Sequence, residues 1–295
     1  MNKKFAAIDI GGTNVRFATF TNDDKIEFKK KFETNPNNYR ETVAKIVSLI
    51  KEHNVSAIAI GIPGPADYPN GIILDTPNLV DWRQVNLREY FLSQVNLEAI
   101  VFENDANAMA FANHKFFKQQ ADDVTQFFTV STGLGAGLII NNKVFTGSNY
   151  QAQEVAFAPL APIAEKKYHH LSPYSLELFA SGTGMSIRAK NLGQNWEAKD
   201  LFNKYESDEI AKKIIDQGID TLARTIATAM AWVNPNLFVF GGSVSTYNNW
   251  FIYKAFEEAK KYTTPSHFDK VKVEIDQMGD DSALFGLYYL IQSKF

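Results

Sequence analysis

The chain has 295 residues, 45% hydrophobic and 21% charged, which suffices for one large or two medium domains and is too apolar for disorder. Thirty basic against thirty-three acidic residues leave a formal charge of -3, which offers no general footprint for nucleic acid or an acidic membrane. The absence of cysteine excludes disulfides, thiolate catalysis and cysteine-ligated zinc or iron–sulfur sites.

The N-terminal MNKKFAAIDI reaches a buried-strand pattern at once, without the apolar stretch of a signal peptide. No segment approaches the roughly 20 apolar residues of a spanning helix. A cytoplasmic protein with no membrane or nucleic-acid partner is therefore expected.

Phe5–Ile10 is a short apolar strand run interrupted by Asp9 and ended by Gly11-Gly12-Thr13. Val15–Thr21 resumes a strand, Asn22-Asp23-Asp24 turns it, and Lys25–Phe32 alternates; Lys29-Lys30-Lys31 reads as an exposed strand face. Helix spacing follows over Glu41–His53, then a strand at Val55–Ile60 that exits into Gly61-Ile-Pro-Gly-Pro65. Helix followed by buried strand with a glycine-rich exit signals a parallel α/β fold. Asp67–Arg83 reads as loop, Leu87–Gln94 as helix, Ala99–Phe102 as strand and Ala106–Phe117 as helix. The polar linker Gln119–Asp123 puts the end of a first domain near there.

Val124–Val130 is the next strand, followed by a Gly133–Gly137 turn, a strand at Leu138–Ile140 and a turn at Asn141-Asn142. This repeats the opening order of strand, glycine turn and strand, so an internal duplication is expected. Lys166–Pro173 reads as a polar loop, and a long helix over Ile210–Val233 is stopped by Asn234-Pro235. A strand at Leu237–Phe240 exits into Gly241-Gly242-Ser243; a helix at Phe251–Lys261, a strand at Val271–Ile275 and a closing helix from Ser282 complete the chain. Trp and Phe residues in these elements are read as mostly core.

The centre of the chain's chemistry is Val101–Phe111, VFENDANAMAF, where polar side chains stand between a strand and the first turn of a helix. Phosphoryl transfer needs mainly positioning and electrostatics, plus one residue to orient or deprotonate the acceptor hydroxyl. Asp105 fits that last role, with Asn104 fixing the acceptor; the plainer reading makes Asp105 a helix cap. Gly11-Gly12-Thr13 and Gly133-x-Gly135-x-Gly137 could cradle phosphates with turn amides, and each could equally be a structural turn. Asp9 could bind Mg²⁺ through water or serve as a turn cap. The first turn lacks the GxxxxGK[ST] pattern, and the second opens no βαβ unit with a ribose-binding acid, so neither a P-loop nor a dinucleotide site is indicated. Glu154 and Glu177 stand in poorly charged contexts, AQEVAF and SLELFA, where a carboxylate needs a polar partner unless it is a surface residue or in an ordinary salt bridge.

Taken together these segments resemble the ROK family of sugar kinases. The matching stretches are DIGGTNVRFATF at 9–20, GIPGP at 61–65, TPNLVDW at 76–82, ENDANAMA at 103–110, TVSTGLGAGLIINNKVFTG at 129–147, Glu154, LELFASGTGM at 176–185, FGGSV at 240–244 and GDDSALFG at 279–286. They run in family order across essentially the whole chain. The resemblance implies a duplicated ribonuclease H-like α/β fold of the actin/hexokinase superfamily around a central cleft. It implies an N-terminal domain over 1–118 and a C-terminal domain over 119–281, with a closing helix at 282–293 returning to the first. It implies ATP and Mg²⁺ as cofactors, a hexose as substrate and a homodimer.

Residue by residue, the resemblance makes Asp105 the base that takes the proton of the sugar 6-hydroxyl. Asn104, Glu154 and Glu177, with Asn78, become hydroxyl ligands. Gly11, Gly12 and Thr13 form the first phosphate loop, Thr132, Gly133, Gly135 and Gly137 the second, and Gly241 and Gly242 the adenosine-side turn, while Asp9 faces Mg²⁺. Arg16, at a position basic in much of the family, is read as a surface residue, with phosphate contact as the alternative. Two departures stand out. The family motif G-E-x-G-H is here Gln153-Glu154-Val155-Ala156-Phe157, so the zinc-binding histidine is replaced by Phe157, and Tyr168–Ser175 replaces the cysteine cluster. A zinc-less site is expected, its substrate loop held by Phe157, Tyr174 and Phe179. The reading is a glucokinase-type enzyme; a 2-acetamido hexose kinase, for example for N-acetylmannosamine, and a non-catalytic sugar sensor are the alternatives.

Overall fold

A computed structural model describes residues 3–21, 23–76, 79–169 and 171–295; Asn78, expected to contact sugar, lies outside these, as does His170. Two compact units emerge, one containing the chain up to Phe116 with Thr146–Ala152 and Asp280–Phe295, the other Phe117–Phe145 with Gln153–Gly279.

The first unit contains β1 (Phe5–Ile10), β2 (Asn14–Phe20), β3 (Ile26–Glu33), α1 (Tyr39–Glu52), β4 (Ala57–Gly61), the short pair β5 (Ala66–Asp67) and β6 (Ile72–Ile73), α2 (Leu87–Gln94), β7 (Ala99–Glu103) and α3 (Asp105–Phe116). The second contains β8 (Thr125–Val130), β9 (Leu134–Ile140), β10 (Lys143–Val144), α4 (Leu176–Ala180), α5 (Gly182–Asn191), α6 (Ala198–Lys204), α7 (Glu209–Trp232), β11 (Leu237–Gly241), α8 (Gly242–Tyr247), α9 (Asn249–Ala259) and β12 (Lys272–Ile275). The closing helix, α10 (Ser282–Gln292), belongs to the first unit.

The two main sheets share one plan. Their strand orders are β3-β2-β1-β4-β7 and β10-β9-β8-β11-β12, with the first three strands antiparallel and the rest parallel. The duplication expected from the repeated strand–turn–strand order is therefore present. One boundary differs in a way that matters. β9 begins at Leu134, so Gly135 and Gly137 pair with Thr129 and Phe127 in the ladder instead of lying in a turn. The turn itself is only Ser131–Gly133. Asp67–Arg83 is also less open than expected, holding the β5–β6 pair and a 3-10 turn at Val80–Trp82.

The alternation of β1 explains how the first sheet carries helices on both faces. Ala6, Ile8 and Ile10 point into a core with Val43, Ile46 and Ile50 of α1 and Phe91 of α2. Ala7 points the other way, joining Ala18, Ala57 and Ala59 against Ala108, Leu284 and Leu287 of α3 and α10. These alanines leave room for two helices to come close. At Gly286 a Cβ would lie 1.8 Å from the Ala108 carbonyl oxygen, so only glycine permits that approach. Phe20 stacks on Tyr288 at 4.1 Å and fastens the same helix. β3 is an edge strand whose Lys29, Lys30 and Lys31 are all exposed, which discourages pairing with another chain; Lys29 also reaches Asp281 at 2.8 Å.

In the second unit Asp208 caps α7 by accepting from the Ile210 and Ala211 amides, and the helix buries Ile214, Ile215, Leu222 and Ile226. Trp232 at its end is 84% exposed, an exception to the expectation that Trp and Phe are mostly core, whereas Trp82 is fully buried. Replacing Gly286 by Ala should separate α3 from α10 and destabilise the protein by at least about 2 kcal/mol, read as a lowered denaturation midpoint. An unchanged midpoint would contradict the close-contact account.

Candidate functional site

In the first unit the register of β1 with β2 sets Asp9 directly opposite Arg16. Asp9 is 7% exposed, and Arg16 donates from Nη1 to its Oδ2 at 2.9 Å. The Arg16 guanidinium also approaches Asp280 at 3.9 Å. Arg16 is thus the partner of a buried carboxylate, which corrects its reading as a surface residue. Burial, reinforced by the charge of Asp105, pushes the Asp9 carboxyl up to about 6 against the lowering pull of Arg16. Gly11 accepts no crowding: its amide donates to Asn14 at 2.9 Å and its carbonyl accepts from the Thr34 hydroxyl, closing the turn that carries Gly12 and Thr13.

Asp105 is the first residue of α3, where β7 stops. Its side chain is exposed to solvent, yet the protein crowded around it raises its carboxyl above the usual range. The capping role falls chiefly to Asn104, whose Oδ1 accepts from the Ala106 amide at 2.9 Å and the Asn107 amide at 3.3 Å. That use of Oδ1 fixes the amide orientation and leaves Nδ2 as the outward donor. Glu103, which sequence reasoning missed, locks the base of this turn. Its Oε1 accepts from the Asn104 amide at 2.8 Å and from Asn107 Nδ2 at 2.9 Å, and burial pushes its carboxyl up.

In the second unit the turn after β8 carries Thr132 and Gly133. It is tied to the segment through α4 into α5. Gly182 N–H donates to the Ser131 carbonyl at 2.7 Å, Thr183 N–H to the Thr132 carbonyl at 3.0 Å, and Leu134 N–H to Glu177 Oε2 at 2.9 Å. The Ser131 hydroxyl lies 3.0 Å from that of Ser243. Gly241 ends β11 and Gly242 opens α8, both against β8: a Cβ on Gly242, whose φ is +85°, would lie 2.5 Å from the Val130 carbonyl oxygen. Glu154 is exposed, just ahead of the 3-10 turn Val155–Phe157.

Next to Ser243 is a cavity of about 410 Å³ lined by Lys199, Phe202, Asn203, Tyr247 and Asn248. None of these was singled out in the sequence, where their spacing reads as ordinary helix surface. Phe157 and Tyr174 are largely exposed, whereas Phe179 is fully buried with Leu178, Leu171 and Ala161. Leu171 and Ala161 join the expected Phe179 in anchoring this loop. Among the described residues no three His, Cys, Asp or Glu side chains converge as metal ligands would.

The Asp9 carboxyl lies above its ordinary value of 3.8 in the folded protein, so its contribution to stability is complete below that value and is lost as pH rises through about 6. The stability advantage of wild type over Asp9→Asn should shrink by up to about 3 kcal/mol between pH 4 and pH 7. Denaturant titrations at several pH values measure this, and a pH-independent difference would refute it.

The ROK family sequence pattern matches residues 5–294. The chain is 25% identical to a glucokinase of Thermotoga maritima over 99% of this chain and 98% of that protein. It is 28% identical to an N-acetylmannosamine kinase of Escherichia coli over 98% of each. A ROK hexokinase structure from Thermus thermophilus superposes with a TM-score of 0.85 at 23% identity, covering 98% of this chain and 99% of that one. The duplicated five-stranded sheets are accordingly those of the actin/hexokinase-type fold. With a match over nearly its whole length, the chain belongs to the ROK family.

Proposed function

We propose that this protein transfers the γ-phosphoryl group of ATP to the 6-hydroxyl of a hexose. The observation that carries the proposal is Asp105: an accessible carboxylate with a raised pKa, fixed at a strand-to-helix junction, in a chain of the ROK family. A carboxyl raised above its usual range is a better proton acceptor for a hydroxyl than an ordinary aspartate. Asp105 would take the hydroxyl proton while Asn104, held by its two amide donors, offers Nδ2 to a neighbouring hydroxyl oxygen. Asn78, Glu154 and Glu177 are assigned to further hydroxyls.

Gly11, Gly12 and Thr13 of the first unit, and Thr132 and Gly133 of the second, are assigned to phosphates, as turns whose amides can face an anion. Gly135 and Gly137, first read as part of that phosphate turn, stand in β9 behind it. The cavity beside Gly241, Gly242 and Ser243 is assigned to the nucleotide base, since Phe202 and Tyr247 offer aromatic faces and Asn203 and Asn248 amide groups. Mg²⁺ suits the oxygen-only donors here, Asp9 through water with substrate phosphates completing the set, and when bound it neutralises charge on the transferring group. Arg16 keeps Asp9 anionic for that contact.

Glucose is the substrate we favour. The second reading, a 2-acetamido hexose, is supported by the 28% identity to an N-acetylmannosamine kinase and by the exposed ring of Phe157, 46% accessible, which would give an acetamido methyl an apolar wall. ADP release with Mg-ATP over glucose, mannose, fructose, N-acetylglucosamine and N-acetylmannosamine distinguishes these. Turnover with none of them would refute the kinase reading and favour a sugar sensor. Asp105→Asn should lower kcat about 10²- to 10⁴-fold and leave the sugar KM within a few-fold of wild type. Retained activity would remove Asp105 from the role of base.

A further inference from the structure

The turn Ser131–Leu134 hangs on residues 177–183 through three hydrogen bonds, and they are not alike. Two join backbone to backbone, from Gly182 to Ser131 and from Thr183 to Thr132. The third is made by a side chain: Leu134 N–H donates to Glu177 Oε2 at 2.9 Å. Gly133 packs against the same carboxylate: a Cβ there would sit 3.2 Å from Oε2 and press on the tether.

The choice of a carboxylate is informative. An anion beside a turn that receives phosphates opposes them electrostatically, and a glutamine would satisfy the Leu134 amide without that cost. A carboxylate at this half-buried place fits a group that answers to the sugar as well as to the turn. We propose that Glu177 is a positioning residue of the nucleotide turn, so that the side chain assigned to a sugar hydroxyl also holds Gly133 and Leu134 in place for the phosphates. This rests on the kinase reading and goes beyond it, because it predicts that a residue assigned to the sugar controls nucleotide affinity when no sugar is present. Sugar and nucleotide binding are then thermodynamically linked through one side chain.

The test is calorimetric titration of sugar-free protein with Mg²⁺ and a non-hydrolysable ATP analogue, for wild type, Glu177→Asp and Glu177→Gln. Shortening by one methylene withdraws the acceptor from Leu134, so E177D should bind the analogue about five- to tenfold more weakly, the effect of one lost hydrogen bond. E177Q keeps an acceptor oxygen at the same reach and removes the opposing charge, so it should bind the analogue at least as tightly as wild type while losing sugar affinity. A residue that only contacts sugar would leave analogue binding unchanged in E177D, and that result overturns the proposal. A merely structural role would not be rescued by Gln, so equal weakening in E177Q and E177D overturns it as well. Amide exchange at Leu134 gives a readout independent of nucleotide. If wild type binds no analogue, the kinase reading fails, while faster Leu134 exchange in E177D than in E177Q still supports the tether and equal exchange rejects it.

Discussion

The register of β1 is the constraint from which the first unit follows. Its parallel pairing with β4 brings Gly61 level with Asp9, and its antiparallel pairing with β2 brings Arg16 level with it from the other side. The lack of a side chain at Gly61 leaves space for the Asp9 carboxylate: a Cβ there would lie 3.3 Å from both Asp9 Oδ1 and Leu287. One residue of slip would turn Asp9 toward the core of Ile46 and Ile50 and strip it of Arg16. A buried carboxylate that ionises near 6 is expensive in a fold whose total stability is small, and such costs are kept where a charge has work to do.

β8 occupies the same place in the second sheet, and the same topology meets a different local demand. Where β1 runs into a turn closed by Asn14 and Thr34, β8 runs into one held by α4 and α5. The second unit places no carboxylate in the strand itself; its charge arrives from Glu177, on a helix. This division is what a duplicated fold permits: each copy keeps the hydrogen-bonding frame, and the polar group near the turn is supplied from whichever element packs there.

Much of this was legible in the sequence because the signals were local. The strand–glycine–strand order, repeated at Phe5 and Val124, was enough to anticipate two related sheets, and the polar run Glu103–Asn107 marked the junction where Asp105 stands. The rest depended on pairs far apart in the chain. Arg16 looked superficial because nothing in NVRFAT reveals that its strand neighbour is a buried aspartate. Gly135 and Gly137 looked like a loop because glycine spacing cannot distinguish a turn from a strand packed closely against its neighbours. Helices α4 to α6 went unread since Gly182 and Gly184 suggest breakers, although Gly184 lies where a Cβ would meet the Glu177 carbonyl at 2.3 Å. Trp232 was misjudged for the converse reason: periodicity along α7 says which face is apolar, and the last residue of a helix need not obey it.

The geometry at the start of α3 also sharpens what sort of ligand suits it. Asn104 has both of its cap bonds on Oδ1, so the amide cannot flip without losing two hydrogen bonds to the helix. Its outward group is a donor, and the adjacent outward group, the Asp105 carboxylate, is an acceptor. Glu103, buried and bonded to both Asn104 and Asn107, prevents the pair from rotating together. A donor and an acceptor fixed side by side match neighbouring hydroxyls, one accepting and one donating, better than they match a carboxylate or an amine, either of which would oppose one of the two. On the proposed kinase reading, the polarity offered to a ligand would be set by hydrogen bonds that never touch it, and the cap of α3 would favour an alcohol as the partner of Asp105.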